Sequence, residues 1–139
     1  MEVVKELKVP IDYLFDVFEQ SIQSDILAQT GKKLNENEFT GFEYVKDFSK
    51  GNQATIQIEK YERNRAYYYS THTDKNKISV RYDVHSLDEE TSKLHYSEEI
   101  ISNGFLQKMN DALVGLVWGF LKKKRFKEML NQIEQSYTE

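Results

Sequence analysis

The stretch that most constrains this chain is its C-terminal third, Asn103 to Ser136, reading NGFLQKMNDALVGLVWGFLKKKRFKEMLNQIEQS. Apolar residues recur at Phe105, Met109, Leu113, Leu116, Phe120, Phe126, Leu130, Ile133 and Tyr137, in steps that hold one helical stripe. Lys108, Asp111, Lys122, Lys124, Arg125, Glu128 and Gln132 take the other side. Asn103 offers a side chain to cap the start, and a helix of this length reaches roughly 50 Å, enough to cross a whole sheet. Such a stripe requires a broad apolar partner, which the rest of the chain has to supply.

The middle of that helix carries Gly115 and Gly119 around Trp118, followed by Phe120. A membrane span is excluded because the apolar run from Ala112 to Leu121 is about half the ~20 residues a bilayer requires. Two glycines weaken a helix by about 1 kcal/mol each relative to alanine. Two causes fit them: close backbone approach to a packed element, or room left for a ligand between helix and sheet.

Upstream, Val3, Leu7 and Val9 share one side of a first strand. Pro10 stops it and opens a helix, where a missing amide hydrogen costs nothing. Ile11, Leu14, Phe15, Phe18, Ile22 and Ile26 then follow helical spacing up to Thr30-Gly31, with Ser21 and Ser24 as positions that divide the run into two short helices. From Phe42 to Ile101 the period changes to two, interrupted near Lys50-Gly51-Asn52, Arg63-Asn64, Asp74 to Lys77 and Asp88 to Ser92. This pattern predicts an antiparallel meander.

Residues opposite one another in a hairpin share a face, so trial registers test each other. A two-residue turn at Lys75-Asn76 sets Tyr69 opposite Tyr82 and Tyr67 opposite Val84. One at Arg63-Asn64 sets Ile58 opposite Tyr69 and Ile56 opposite Thr71. Both give one inner face, with Ile56, Ile58, Tyr67, Tyr69, Thr71, Val80, Tyr82, Val84, Leu94, Tyr96, Glu98 and Ile100. The hairpin around Gly51 is left without a register. That face is rich in hydroxyls and holds one carboxylate, which fits either a self-satisfied core or a polar-studded cavity. The cavity candidates are Tyr67, Tyr69, Thr71, Tyr82, Tyr96 and Glu98 on the sheet with Gly115, Trp118, Gly119 and Phe120 on the helix.

With 139 residues, one proline and no linker composition, a single domain over 1–139 is expected. Zero cysteines removes disulfides and thiolate chemistry, and the N-terminus MEVVKELKVP lacks the pattern of a signal peptide, so a cytoplasmic location is expected. A net charge of −4 argues against nucleic acid, and the run Lys122 to Lys127 reads as a solvated helix face. No phosphate loop, nucleophile elbow, dinucleotide fingerprint or zinc helix occurs, and no cofactor is expected. His85 and His95 meet on the outer face with Asp83 nearby in one register, whereas another sets Lys93 opposite His85; neither makes a metal expected. Glu98 is the one carboxylate placed for acid–base work, without a visible partner, so the balance is against an enzyme. Glu99 is expected to face outward and pair with Arg81.

Val9-Pro10-Ile11-Asp12-Tyr13-Leu14-Phe15 at the helix entry resembles the helix-grip fold, the START-like or birch-pollen-allergen-like (SRPBCC) superfamily. Thr30-Gly31-Lys32, Gly41 to Lys46, Tyr96-Ser97-Glu98-Glu99 and Lys122 to Lys127 are similar to a family of bacterial domains of unknown function within it. The resemblance implies an α+β fold, with a curved antiparallel sheet of about six strands wrapped around the long C-terminal helix and two short helices after strand 1. It also implies a cavity between sheet and helix for a small hydrophobic or amphipathic ligand. The alternative is a protein-interaction module or homodimer with a filled core.

Overall fold

Alternation in the middle of the chain resolves into one sheet. The computed structural model describes residues 1–48, 51–102 and 105–138, with the side chains of residue 102 and of 105–120 outside those described. In chain order the elements are β1 (Glu2–Leu7), α1 (Ile11–Thr30), a 3-10 turn (Glu36–Glu38), β2 (Glu43–Asp47), β3 (Gln53–Glu62), β4 (Ala66–His72), β5 (Asn76–Ser86), β6 (Ser92–Ser102) and α2 (Phe105–Thr138). The strands lie in the order β1-β6-β5-β4-β3-β2, and every neighbouring pair is antiparallel. β2 to β6 form the expected meander, and β1 closes it by pairing with the last strand. Asn103 and Lys50, to which the sequence assigned a cap and part of a turn, lie outside the described residues.

Pro10 stands at the N-cap of α1 in an extended conformation, and its carbonyl accepts a 3.2 Å bond from the Leu14 amide. Gly31 ends the helix at φ +73°, where its amide reaches the Leu27 carbonyl at 2.9 Å; a side chain would strain that left-handed turn. Ser21 and Ser24 do not divide α1, which runs unbroken for 20 residues, so the second helical piece is the 3-10 turn. The apolar stripe prevails over the weak helix preference of two serines, because Leu14, Phe15, Phe18, Ile22 and Ile26 are all buried. Burial of side chains of this size stabilises by roughly 1.5–3 kcal/mol each.

Register departs from expectation in two instructive places. The β4–β5 turn is Asp74-Lys75 and not Lys75-Asn76: the Thr73 amide bonds the Asn76 carbonyl at 2.9 Å, and the Thr73 hydroxyl accepts from the Asn76 amide at 3.0 Å. Tyr67 therefore faces Tyr82, Tyr69 faces Val80 and Thr71 faces Ile78. A slip of two keeps every side chain on its face, so the inner set survives. Between Ile58 and Lys60 the β3–β4 ladder shifts by one residue at a bulge. Ile58 still faces Tyr69 and Ile56 faces Thr71, as expected, but past the bulge Tyr61 faces Tyr67 and joins the inner side.

The outer face follows the second of the two histidine registers: His85 opposes Lys93 and Asp83 opposes His95. Glu99 opposes Ser79, not Arg81, whose guanidinium instead lies 5.0 Å from the Tyr68 ring centre. The described half of α2 packs with Phe126 and Leu130 buried against the sheet. Its end is fastened to β1 and α1, by Lys5 to Asn131 at 2.9 Å, the Lys8 amide to Glu134 at 2.9 Å, and Tyr13 to Ser136 at 2.6 Å. Lys123, Lys124, Arg125 and Lys127 are exposed.

Candidate functional site

Packing of α1 on the sheet is uneven along the helix. Its first half buries rings: Phe15 meets Phe18 and Tyr61 edge-on, and Phe18 sits 4.9 Å from Tyr82, centre to centre. Its second half offers Ser21, Ser24, Asp25 and Ala28 beside Ile22, a stripe of short side chains at helical spacing. Short side chains over a tyrosine-bearing sheet leave a cavity of about 560 Å³. The sheet wall comes from Tyr44, Lys46 and Phe48 at β2, Ile56 on β3, and Tyr67, Tyr69 and Thr71 on β4.

Asp25 organises the polar side of this space. Its carboxylate accepts a short hydrogen bond from the Tyr44 hydroxyl and pairs with Lys46 Nζ at 3.0 Å. Burial, then the bond to Asp25, pushes the Tyr44 ionisation far up, so the phenol stays protonated and donating. Burial also raises Tyr67, with Tyr69, Tyr44 and Asp25 adding to it. Tyr69 is pushed up to about 12 by burial and by the charges of Glu98 and Asp25. The cavity thus presents several neutral hydroxyls, one carboxylate and one ammonium above an apolar floor.

Of the sequence-derived candidates, Tyr67, Tyr69 and Thr71 line this cavity. Tyr82 and Tyr96 lie in the hydrophobic core, where Tyr67 stacks on Tyr82 at 5.6 Å and Tyr96 stacks on Phe126 at 4.0 Å. Glu98 is not among the lining residues; it faces Lys122 on α2 at 3.8 Å, while its backbone carbonyl takes the N-terminal ammonium at 2.9 Å. Gly115, Trp118, Gly119 and Phe120 lie outside the residues whose side chains are described. What the sequence reading missed is the α1 wall and β2: Ser21, Ser24, Asp25, Tyr44 and Lys46. The signal was present in the Ser21, Ser24, Asp25, Ala28 stripe, whose serines are as much a lining as a break. Among the described residues, no cluster of three or more histidine and acidic side chains is placed to hold a metal.

A second polar cluster sits at the other end of α1. Arg63 reaches Asp16 at 2.8 Å and makes a short bond to Glu19, while Asn64, at φ +63°, donates to Asp12 at 2.7 Å. This ties the β3–β4 turn to the helix. The adjacent Tyr61 hydroxyl is buried beside Glu19, and burial together with that carboxylate holds its ionisation well above the usual tyrosine range.

The family model described as "Domain of unknown function (DUF3284)" matches residues 1–119. The chain belongs to the DUF3284 family. No curated protein matches it. Solved structures similar to this DUF3284 chain include a conserved protein from Geobacillus kaustophilus, 16% identical over 97% of this chain and 95% of that one, with a TM-score of 0.60. Ara h 8.0201 is 13% identical over 98% and 94%, at 0.60. A START superfamily protein from Mycobacterium smegmatis is 10% identical over 97% of each chain, at 0.54. At these identities the likeness shows the fold, and it makes this DUF3284 chain a helix-grip protein, with its curved six-stranded sheet and long C-terminal helix. Among the described residues, no helix is long and apolar enough to cross a membrane.

Proposed function

We propose that this protein is a non-enzymatic binder of a small amphipathic molecule, held between the second half of α1 and the inner face of β2, β3 and β4. One observation carries it: a cavity of about 560 Å³ with an apolar floor of Ile22, Ala28 and Ile56 and hydroxyls from Tyr44, Tyr67, Tyr69 and Thr71. That volume lies within the ~300–1,000 Å³ typical of small-molecule sites, which join apolar walls to a few placed polar groups. The carboxylate of the site, Asp25, is already engaged by a phenol and an ammonium, an arrangement suited to orienting a ligand. Glu98, the acid–base candidate, faces Lys122 instead. The absence of cysteine suits a reducing cytoplasmic setting.

A thermal-shift screen of lipids and aromatic metabolites on the full chain tests this, paired with Thr71→Trp, which places an indole in the cavity. Compounds that raise the midpoint of the wild type should lose their effect on the variant, with its own midpoint little changed. Ligands that stabilise both proteins equally would move the site elsewhere.

A further inference from the structure

We propose that the polar end of the ligand is an organic cation, an ammonium or substituted ammonium, which takes the Asp25 carboxylate in exchange for Lys46. The inference deepens the binding function proposed above and rests on it.

The chain itself displays the interaction. Lys46 Nζ sits 3.0 Å from Asp25 and 5.6 Å from the centre of the Phe48 ring, so an ammonium already rests between a carboxylate and an aromatic face at the cavity wall. This occupant is displaceable. Lys46 belongs to β2, an edge strand, its side chain is 32% exposed, and a partly exposed ion pair of this kind is weak because water screens it. On release its charge returns to water by a rotation of its own flexible stem. Exchange of one ammonium for another keeps Asp25 neutralised and leaves its bond from Tyr44 intact.

The surroundings favour a cation over an anion. Asp25 and Glu98 both act on the Tyr69 hydroxyl, and Asp25 acts on Tyr67, so the deep wall lies in a negative field. Tyr44, Tyr67 and Tyr69 also line the cavity, and aromatic rings are common partners of alkylammonium groups. An anion would instead have to draw Lys46 away from Asp25 and leave that carboxylate beside it.

Calorimetric titration with tryptamine, tryptophol and indolepropionate tests this, since the three share an indole body and end in a cation, a neutral hydroxyl and an anion. Tryptamine should bind about tenfold more tightly than tryptophol, with indolepropionate weakest. Lys46→Met removes the internal competitor and should tighten tryptamine by about tenfold more. Asp25→Asn should erase the preference of tryptamine over tryptophol. Tryptophol or indolepropionate binding as well as tryptamine overturns the cation inference and leaves the cavity a binding site. Failure of all three, on wild type and on Lys46→Met, overturns both. Should Asp25→Asn not fold, Lys46→Met still decides: an unchanged affinity for tryptamine refutes the exchange.

Discussion

Phe126 of α2 stacks on Tyr96 of β6 with ring centres 4.0 Å apart and planes 26° from parallel. With Leu130, one turn on, this contact presses the described half of α2 onto the sheet. Removal of the ring leaves a hole that backbone held by six strands does not collapse to fill. Phe126→Ala is expected to cost about 3–5 kcal/mol in urea unfolding, and Phe126→Leu clearly less. Equal costs for the two would mean that apolar volume alone recovers nothing and that the ring contact carries the whole effect.

Arg63 clamps the β3–β4 turn to α1 through Asp16 and Glu19, with a further bond to the Asp12 carbonyl at 3.2 Å. Arg63→Ala removes the guanidinium from the mostly buried Glu19 carboxylate and leaves it, among the described residues, only the neighbouring Tyr61 hydroxyl. A loss of about 1–3 kcal/mol is expected by chemical denaturation. Arg63→Lys should recover only part of it, because an ammonium lacks the fork that serves two carboxylates at once.

Deletion of Glu59 removes the extra residue of the bulge and leaves an unbroken ladder in which Tyr61 still opposes Tyr67 on the inner face. Tyr61 would keep Phe39 at 5.2 Å and Phe15 and Tyr67 at 6.1 Å. The expected cost is within about 1 kcal/mol, read as a small shift in thermal midpoint, and a large fall would mean that the bulge itself is required. Glu59→Ala, which keeps the count, should be nearly silent.

Alkaline pH should unfold this protein through its tyrosines. Tyr69 ionises near 12 in the folded state against 10.0 when unperturbed, and burial moves Tyr44, Tyr67, Tyr82 and Tyr96 in the same direction. Because the folded state holds these protons more tightly, the stabilisation is complete below pH 10 and is lost as pH rises from about 10 towards 12 and above. Thermal midpoints should fall across that window, and tyrosinate absorbance should show a late class that appears together with unfolding. A stability flat from pH 9 to 12 would contradict it.

Much of the architecture was legible because its signals are local. Pro10 and Gly31 bracket α1, and the period change after Phe42 gives the meander. The alternation that places Ile56, Ile58, Tyr67, Tyr69 and Thr71 on one face survives a two-residue error in the turn. Of the candidate cavity, only the β4 portion was legible. Tyr67, Tyr69 and Thr71 were named from register, whereas Asp25 and Tyr44 lie 19 residues apart on a helix and an edge strand, and nothing local announces that they meet.

The sequence by itself thus determined element order, the inner face of the sheet and the apolar stripes of α1 and of the described half of α2, since each depends on spacing along one segment. Tertiary structure decided the rest. The bulge at Glu59 exists because burial of Tyr61 against Phe15 and Phe39 outweighs a broken ladder. Among the described residues the candidate cavity lies under α1, because an empty volume is the difference between two surfaces, and those surfaces come from distant parts of the chain.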